Sequence, residues 1–249
     1  MARTPSESMD ATLPTTTVRH NLREDILSGR LAPGLRLKFA ELQARYEASV
    51  GTLREALSEL VADGLVVAET NRGFAVAPVS VAELLDITEL RVDLEGKALT
   101  ASIQHGDDEW EARVLAAFHL LQRAEGELRR DRAESSIWVE RHRRFHDALV
   151  SACPSPWVLR FRQTLFDQAR RYRALSMKHS ASPGRMEEHR KLMEAALGRD
   201  VEAAGAASEA HIRGTARNIL DSVPGYRGHA GAADDRNAAR ARPRRTRQS

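Results

Sequence analysis

Residues 41–66, ELQARYEASVGTLREALSELVADGLV, decide how the first part of the chain folds. Leu42 and Tyr46 stand four apart, and Leu53, Leu57, Leu60 and Val61 recur at threes and fours. Each run therefore turns one apolar face inward as a helix. Glu47, Ala48 and Ser49 make the turn between them. The Ser49 hydroxyl can cap the second helix, Thr52 and Glu55 support its first turn, and Asp63-Gly64 end it. Upstream, Val18, Leu22, Ile26 and Leu27 predict a helix over 16–28, stopped by Gly29, with a turn at Pro33-Gly34; the short helix spans 38–46. Downstream, 65–69 (LVVAE) and 73–77 (GFAVA) alternate as strands around Thr70-Asn71-Arg72-Gly73. Helix, helix, turn, helix, hairpin is the order of a winged helix-turn-helix, placed at 15–78. Its recognition helix enters the major groove by its N-terminal end.

Beyond a hinge at Pro78-Val79, Ser80 caps a long helix, VAELLDITELRVDLEGKALTASIQ. Helical spacing continues over about 107–131, 135–152, 156–178, 183–198 and 200–221, broken at Gly106-Asp107, near Asp131, at Pro154-Ser155-Pro156, at Ser182-Pro183-Gly184 and at Arg199-Asp200. The expected fold is mainly α: the winged domain, then an all-helical bundle of about six helices at 79–223. Residues 1–14 are rich in Ser, Thr and Pro, and 224–249 in Gly, Ala and Arg; both read as disordered tails.

Composition limits the partners. The single cysteine, Cys153, rules out an intrachain disulfide and fits a reducing cytosol. No apolar run reaches the roughly 18–20 residues of a membrane span, and the polar N-terminus lacks a signal-peptide core. A cytoplasmic protein is expected. The net charge of +3 is unevenly spread: from Pro224 onward seven arginines and two aspartates give +5, which leaves −2 for the rest. Residues 17–78 carry eight basic and eight acidic side chains, so DNA binding rests on pattern and not on bulk charge. The basic tail either attracts DNA non-specifically or only solubilises the chain.

Four histidines stand out. His142 and His146 lie four apart in HRRFH, His189 lies in EEHRKLMEAAL and His211 in EAHIRGTARNIL. Spacing of four places two imidazoles on one helix face, and convergence of three helices would make a divalent-metal site. Imidazole favours a borderline ion, zinc or nickel, over magnesium or calcium. His105, His119 and His179 fit no ligand pattern. A metallohydrolase is disfavoured because HRRFH lacks the glutamate of HExxH.

The stretches LREDILSGRLAPGLRL, ELQARYEAS, LREALSELVADGLV and GFAV resemble the GntR family over nearly the whole first domain. That resemblance implies a homodimer reading a palindromic operator in double-stranded DNA. Ser49, Val50, Gly51, Thr52 and Arg54 would meet DNA from the recognition helix, and Arg72 and Gly73 from the wing. Many relatives carry Arg, Thr and Pro at 50–52, so one common contact is missing here. Arg54 and Arg72 also suit solvated positions, and Gly73 suits a plain hairpin.

The helical part resembles the FCD domain of the FadR branch, in its shorter, VanR-like form, through ELRVDLEGKAL, RRFHDALVSA, EEHRKLMEAALGRD and EAHIRGTA. Within that branch, GDDEWEARVLAAFHLL and TLFDQARRYR resemble the carbon-starvation-induced regulator type. The resemblance implies a metal-assisted pocket for a small carboxylate, with the closer match pointing to a short dicarboxylate, and a regulator that represses. His142 occupies the position where the family usually has Asp. Arg91 matches an arginine suited to gripping a carboxylate, or pairs with Glu95; Arg170 and Arg173 face the same pocket or solvent. A purely structural or directly sensed metal is the alternative.

Overall fold

The computed structural model describes residues 14–70, 72–131, 136–177 and 186–226. Most of both expected tails, Asn71 and His179 lie outside these residues. The chain divides into two compact units between Val79 and Ser80.

The first unit contains α1 (Thr15–Leu27), β1 (Arg36–Leu37), α2 (Phe39–Tyr46), α3 (Val50–Ala62), β2 (Val66–Glu69) and β3 (Gly73–Val76). Pro14, expected in the tail, stands at the N-cap of α1. Ser49 caps α3, its side chain accepting from the Thr52 N–H at 3.1 Å. The hairpin β2–β3 pairs antiparallel, Val66 opposite Val76 and Glu69 opposite Gly73. A third strand, β1, pairs with β3 through Leu37 and Phe74, giving the order β1-β3-β2. The sequence pattern did not announce β1, because two residues carry no readable alternation. Val18, Leu22 and Ile26 of α1 pack with Leu53, Leu57 and Leu60 of α3 in one core.

A buried carboxylate also joins α1 to α2. Asp25 accepts from the Tyr46 hydroxyl (2.6 Å) and from Arg30 Nε (2.5 Å), with Arg45 Nη2 at 2.6 Å. Burial alone would raise the Asp25 pKa, but these donors and the charges of Arg30 and Arg45 outweigh it and hold the carboxyl below its ordinary value. Burial, followed by the Asp25 carboxylate, pushes the Tyr46 phenol up, so it remains a donor.

The second unit comprises α4 (Val81–His105), α5 (Asp108–Asp131), α6 (Ser136–Leu149), α7 (Pro156–Met177), α8 (Met186–Leu197) and α9 (Val201–Ser222). Helix α4 packs on α7 and α9, α5 on α6, and α8 on α9. The core gathers Leu99, Trp110, Val114, Phe118, Leu121, Phe145, Leu149 and Leu192. A turn at 224–226 follows α9, where the tail was expected to begin, with the Tyr226 N–H donating to the Val223 carbonyl.

Two corners of this unit are tied together. Trp110 Nε1 donates to the Ala148 carbonyl at 3.0 Å, and a Cβ added to Gly106 would lie 2.3 Å from the Trp110 ring. Only glycine allows that approach. Arg199, in the turn that follows α8, donates to the Ile103 carbonyl (2.6 Å) near the end of α4, pairs with Glu111 and lies over Trp110.

Candidate functional site

In the first unit the N-terminal turn of α3 is a solvent-facing surface. Ser49, Val50, Gly51 and Arg54 are exposed and Thr52 half-buried. The Ser49 and Thr52 hydroxyls lie 2.9 Å apart, so the cap occupies part of their hydrogen-bonding capacity. Arg54 lies over the Phe39 ring at 5.6 Å. Arg72 and Gly73 form the tip of the β2–β3 hairpin. Gly73 has φ +86°, in the left-handed region, so hairpin geometry by itself accounts for glycine there.

In the second unit the four histidines converge. His142 and His146 share one face of α6, His189 comes from α8 and His211 from α9, and all four are buried. Their ligand atoms lie within 4.8 Å of one another. His142 Nε2 and His146 Nε2 are 3.2 Å apart. Two imidazoles on a tetrahedral zinc, each at about 2.0–2.1 Å, stand roughly 3.3 Å apart, so this pair fits a shared ion. Burial, then the Arg173 guanidinium and the other imidazoles, holds His142 well below its ordinary pKa. Burial, then His211 and His189, does the same for His146. Both are therefore neutral at physiological pH, the form that ligates a metal. No member of the set is a carboxylate.

The surroundings orient these rings. Trp138, one turn before His142, stacks on it with centroids 4.8 Å apart, and its Nε1 donates to Glu125 Oε2 at 2.8 Å. Glu188 Oε2 lies 2.9 Å from His211 Nδ1. A proton on Nδ1 shared with that carboxylate leaves the Nε2 lone pair for a ligand. From sequence, Glu188 reads as an ordinary first-turn residue; the packing of α8 on α9 gives it this second role. Arg162 on α7 donates to Glu95 Oε2 (2.8 Å) and to Asp147 Oδ1 (2.7 Å), the residue after His146, so it fastens α6 and α4 to α7.

Beside the imidazoles lies a cleft lined by Arg91, His142, Phe166, Ala169, Arg170, Arg173, His211 and Thr215. All three arginines proposed from sequence meet there. Arg91 also lies 3.6 Å from Glu95, the ion pair that its spacing suggested. Arg170 is 3.9 Å from Asp167, and Arg173 Nη1 is 3.4 Å from His142 Nδ1 with its guanidinium over Trp138. Phe166, Ala169 and Thr215 were missed from sequence, where nothing in their spacing separates a cleft wall from a core face. His105 stands outside the cluster, its Nδ1 2.8 Å from the Ala101 carbonyl.

Two family models cover this architecture: the gntR family of bacterial regulatory proteins over residues 14–76 and the FCD domain over residues 86–214. The chain belongs to the GntR family and carries an FCD domain. It is a DNA-binding transcriptional regulator and not an enzyme. Among similar GntR-type proteins, the HTH-type transcriptional regulator BphR of Paraburkholderia xenovorans (strain LB400) is 45% identical over 73% of this chain and 75% of its own length. The HTH-type transcriptional repressor GlaR of Escherichia coli (strain K12) is 38% identical over 77% of this chain and 89% of its own. The solved structure of E. coli McbR/YncC shares the fold, with a TM-score of 0.72 at 19% identity over 83% of this chain and 97% of that one. Among the described residues no helix is long and apolar enough to cross a membrane.

Proposed function

We propose that this GntR regulator is a cytoplasmic homodimeric repressor whose operator affinity is set by a small carboxylate, a short dicarboxylate by preference, bound beside a divalent metal in the FCD domain. The observation that carries the reading is a cluster of four buried histidines, two of which, His142 and His211, line a cleft together with three arginines. His142, His146, His189 and His211 would hold the ion, zinc or nickel. When bound, such an ion supplies positive charge and a coordination position for a carboxylate oxygen.

The chain's own residues do the rest. Arg91, Arg170 and Arg173 meet the remaining carboxylate by charge-assisted hydrogen bonds. Phe166, Ala169 and Thr215 bound the space and limit the length of the ligand. Glu188 orients His211. In the DNA-binding domain, Ser49, Val50, Gly51, Thr52 and Arg54 face the major groove of a palindromic operator, and Arg72 and Gly73 lie at the wing. That a similar protein is named a repressor supports the sign of the response. Coupling requires that the carboxylate bind the operator-competent and incompetent states with different affinity.

The test combines thermal shift and operator binding. The purified protein is loaded with zinc or nickel and melted against C3–C6 mono- and dicarboxylates, with and without chelator. Operator affinity is then measured by fluorescence anisotropy. A selective shift that chelation abolishes, accompanied by weaker operator binding, is expected. Stabilisation by metal alone, with operator affinity indifferent to every carboxylate, would reduce the ion to a structural or directly sensed one.

A further inference from the structure

Besides the Arg162–Glu95 pair, helices α4 and α7 meet at the cleft and at the start of α4. At the cleft, α4 contributes Arg91 and α7 contributes Phe166, Ala169, Arg170 and Arg173. At the start of α4, Tyr172 of α7 accepts the Ser80 backbone N–H at 3.2 Å and donates its hydroxyl proton to Glu83 Oε2. Ser80 is the N-cap of α4 and the first residue of the effector domain; its own hydroxyl accepts the Glu83 N–H at 3.1 Å. The phenol therefore holds both ends of the first turn of α4 against α7. The Tyr172 side chain is fully buried. Burial, reinforced by Glu83, pushes its pKa up, so the phenol keeps the proton it donates.

Glu83 and Arg91 are eight residues apart, about 12 Å along the helix axis. Tyr172 lies between the two cleft arginines in sequence, within one turn of each. A ligand held by Arg91 on one helix and by Arg170 and Arg173 on the other bears on the α4–α7 spacing. Packed helices shift as whole bodies, so a change in spacing at the cleft reaches the Tyr172 contacts through the same two helices.

We infer that Tyr172 is a positioning residue that couples occupancy of the cleft to the first turn of α4, where the effector domain meets the segment leading to the DNA-binding domain. This rests on the proposed function. The hydroxyl touches neither the cleft lining nor the histidines, so its removal spares ligand binding and weakens only the transmission.

The experiment uses the full-length protein, with nickel and glutarate as probes, in the wild type, Tyr172→Phe and Glu83→Gln. Phe keeps the buried ring; Gln, at an exposed position, keeps the core intact should Phe perturb it. Thermal shift reports binding, and hydrogen exchange over residues 80–90 reports the first turns of α4. Operator affinity with and without glutarate gives the coupling ratio. In the wild type, exchange over 80–90 changes on adding nickel and glutarate. In both variants the ligand-induced thermal shift stays within about 1 °C of the wild type's. The exchange change shrinks at least threefold, and the coupling ratio moves toward one. A merely structural tyrosine would lower the melting temperature and leave the coupling ratio where it was; that result overturns the inference. A wild-type thermal shift without any exchange change at 80–90 also overturns it while leaving the proposed function standing. No wild-type shift with either probe overturns both.

Discussion

Arg162 Nε donates to Glu95 Oε2 at 2.8 Å, with the two side chains 3% and 7% exposed. This ion pair between α7 and α4 is buried, and Asp147 on α6 shares the guanidinium at 2.7 Å. Truncating one partner strands the other's charge in a low-dielectric interior. Arg162→Met is expected to cost about 3–5 kcal/mol. The double variant Arg162→Met/Glu95→Leu should recover part of that loss. A double-mutant cycle by denaturant unfolding checks both; strict additivity would refute the coupling.

Asp25 gives the DNA-binding domain an acid limit. Its folded pKa lies below the ordinary carboxylate value, because donors from Tyr46, Arg30 and Arg45 outweigh burial. The unfolded state then binds more protons in acid. The stabilisation is complete above about pH 4 and is lost as pH falls through the folded pKa. Asp25→Asn should lose about 2 kcal/mol at pH 7 and flatten the stability profile below pH 4. Amide exchange in α1 at pH 7, 4 and 3 follows this unit separately. An unchanged acid slope in the variant would assign the dependence elsewhere.

Metal removal should lower the melting temperature of the FCD domain. An ion present at a thousand times its Kd adds about 4 kcal/mol, and chelator removes it. His189→Ala should abolish the response to added zinc or nickel. His142→Asp, which installs the residue usual in the family, should retain the ion with a charged donor in place of a neutral one. Melting curves with and without chelator decide the point, and a His189→Ala protein still stabilised by metal would move the site.

Gly106 has the Trp110 ring where a Cβ would stand. Gly106→Ala should cost about 1–3 kcal/mol through overpacking. Thermal melting of the metal-free protein, which isolates packing from ligation, is the measurement; a neutral substitution would show that the α4–α5 corner yields.

On the DNA side, Ser49→Ala removes the cap of α3 and should destabilise the domain by about 1 kcal/mol. Arg54→Ala should leave stability nearly unchanged and weaken operator binding. A base contact predicts a loss of about 1–3 kcal/mol confined to the cognate site; a phosphate contact predicts uniform weakening and a shallower salt slope. Anisotropy titrations on operator and scrambled duplexes at two salt concentrations separate the two.

The helices were legible because their apolar residues keep threes and fours and their ends carry Gly29, Ser49, Gly64 and Ser80. The four histidines were legible because two share a helix face and all lie on strongly periodic segments. Strand β1 was not, since two residues set no period, and neither was Glu188. Its bond to His211 depends on how α8 packs on α9, and a residue next to a histidine in sequence gives no sign of serving a different histidine 23 positions on. Phe166 and Thr215 were hidden for the same reason: apolar or small residues on a buried helix face look alike whether they border a core or a cleft.

The Arg199–Ile103 bond joins residues 96 positions apart. Most contacts in a helical bundle are local and form early. This one closes a long loop, and closure entropy must be lost before the bond forms. Helices α4 to α8 can each form without it, since helix hydrogen bonds are local. It shares that loop-closing role with the Arg213–Glu89 pair, which spans 124 positions, and long-range joints of this kind raise the contact order and slow refolding of the helical domain.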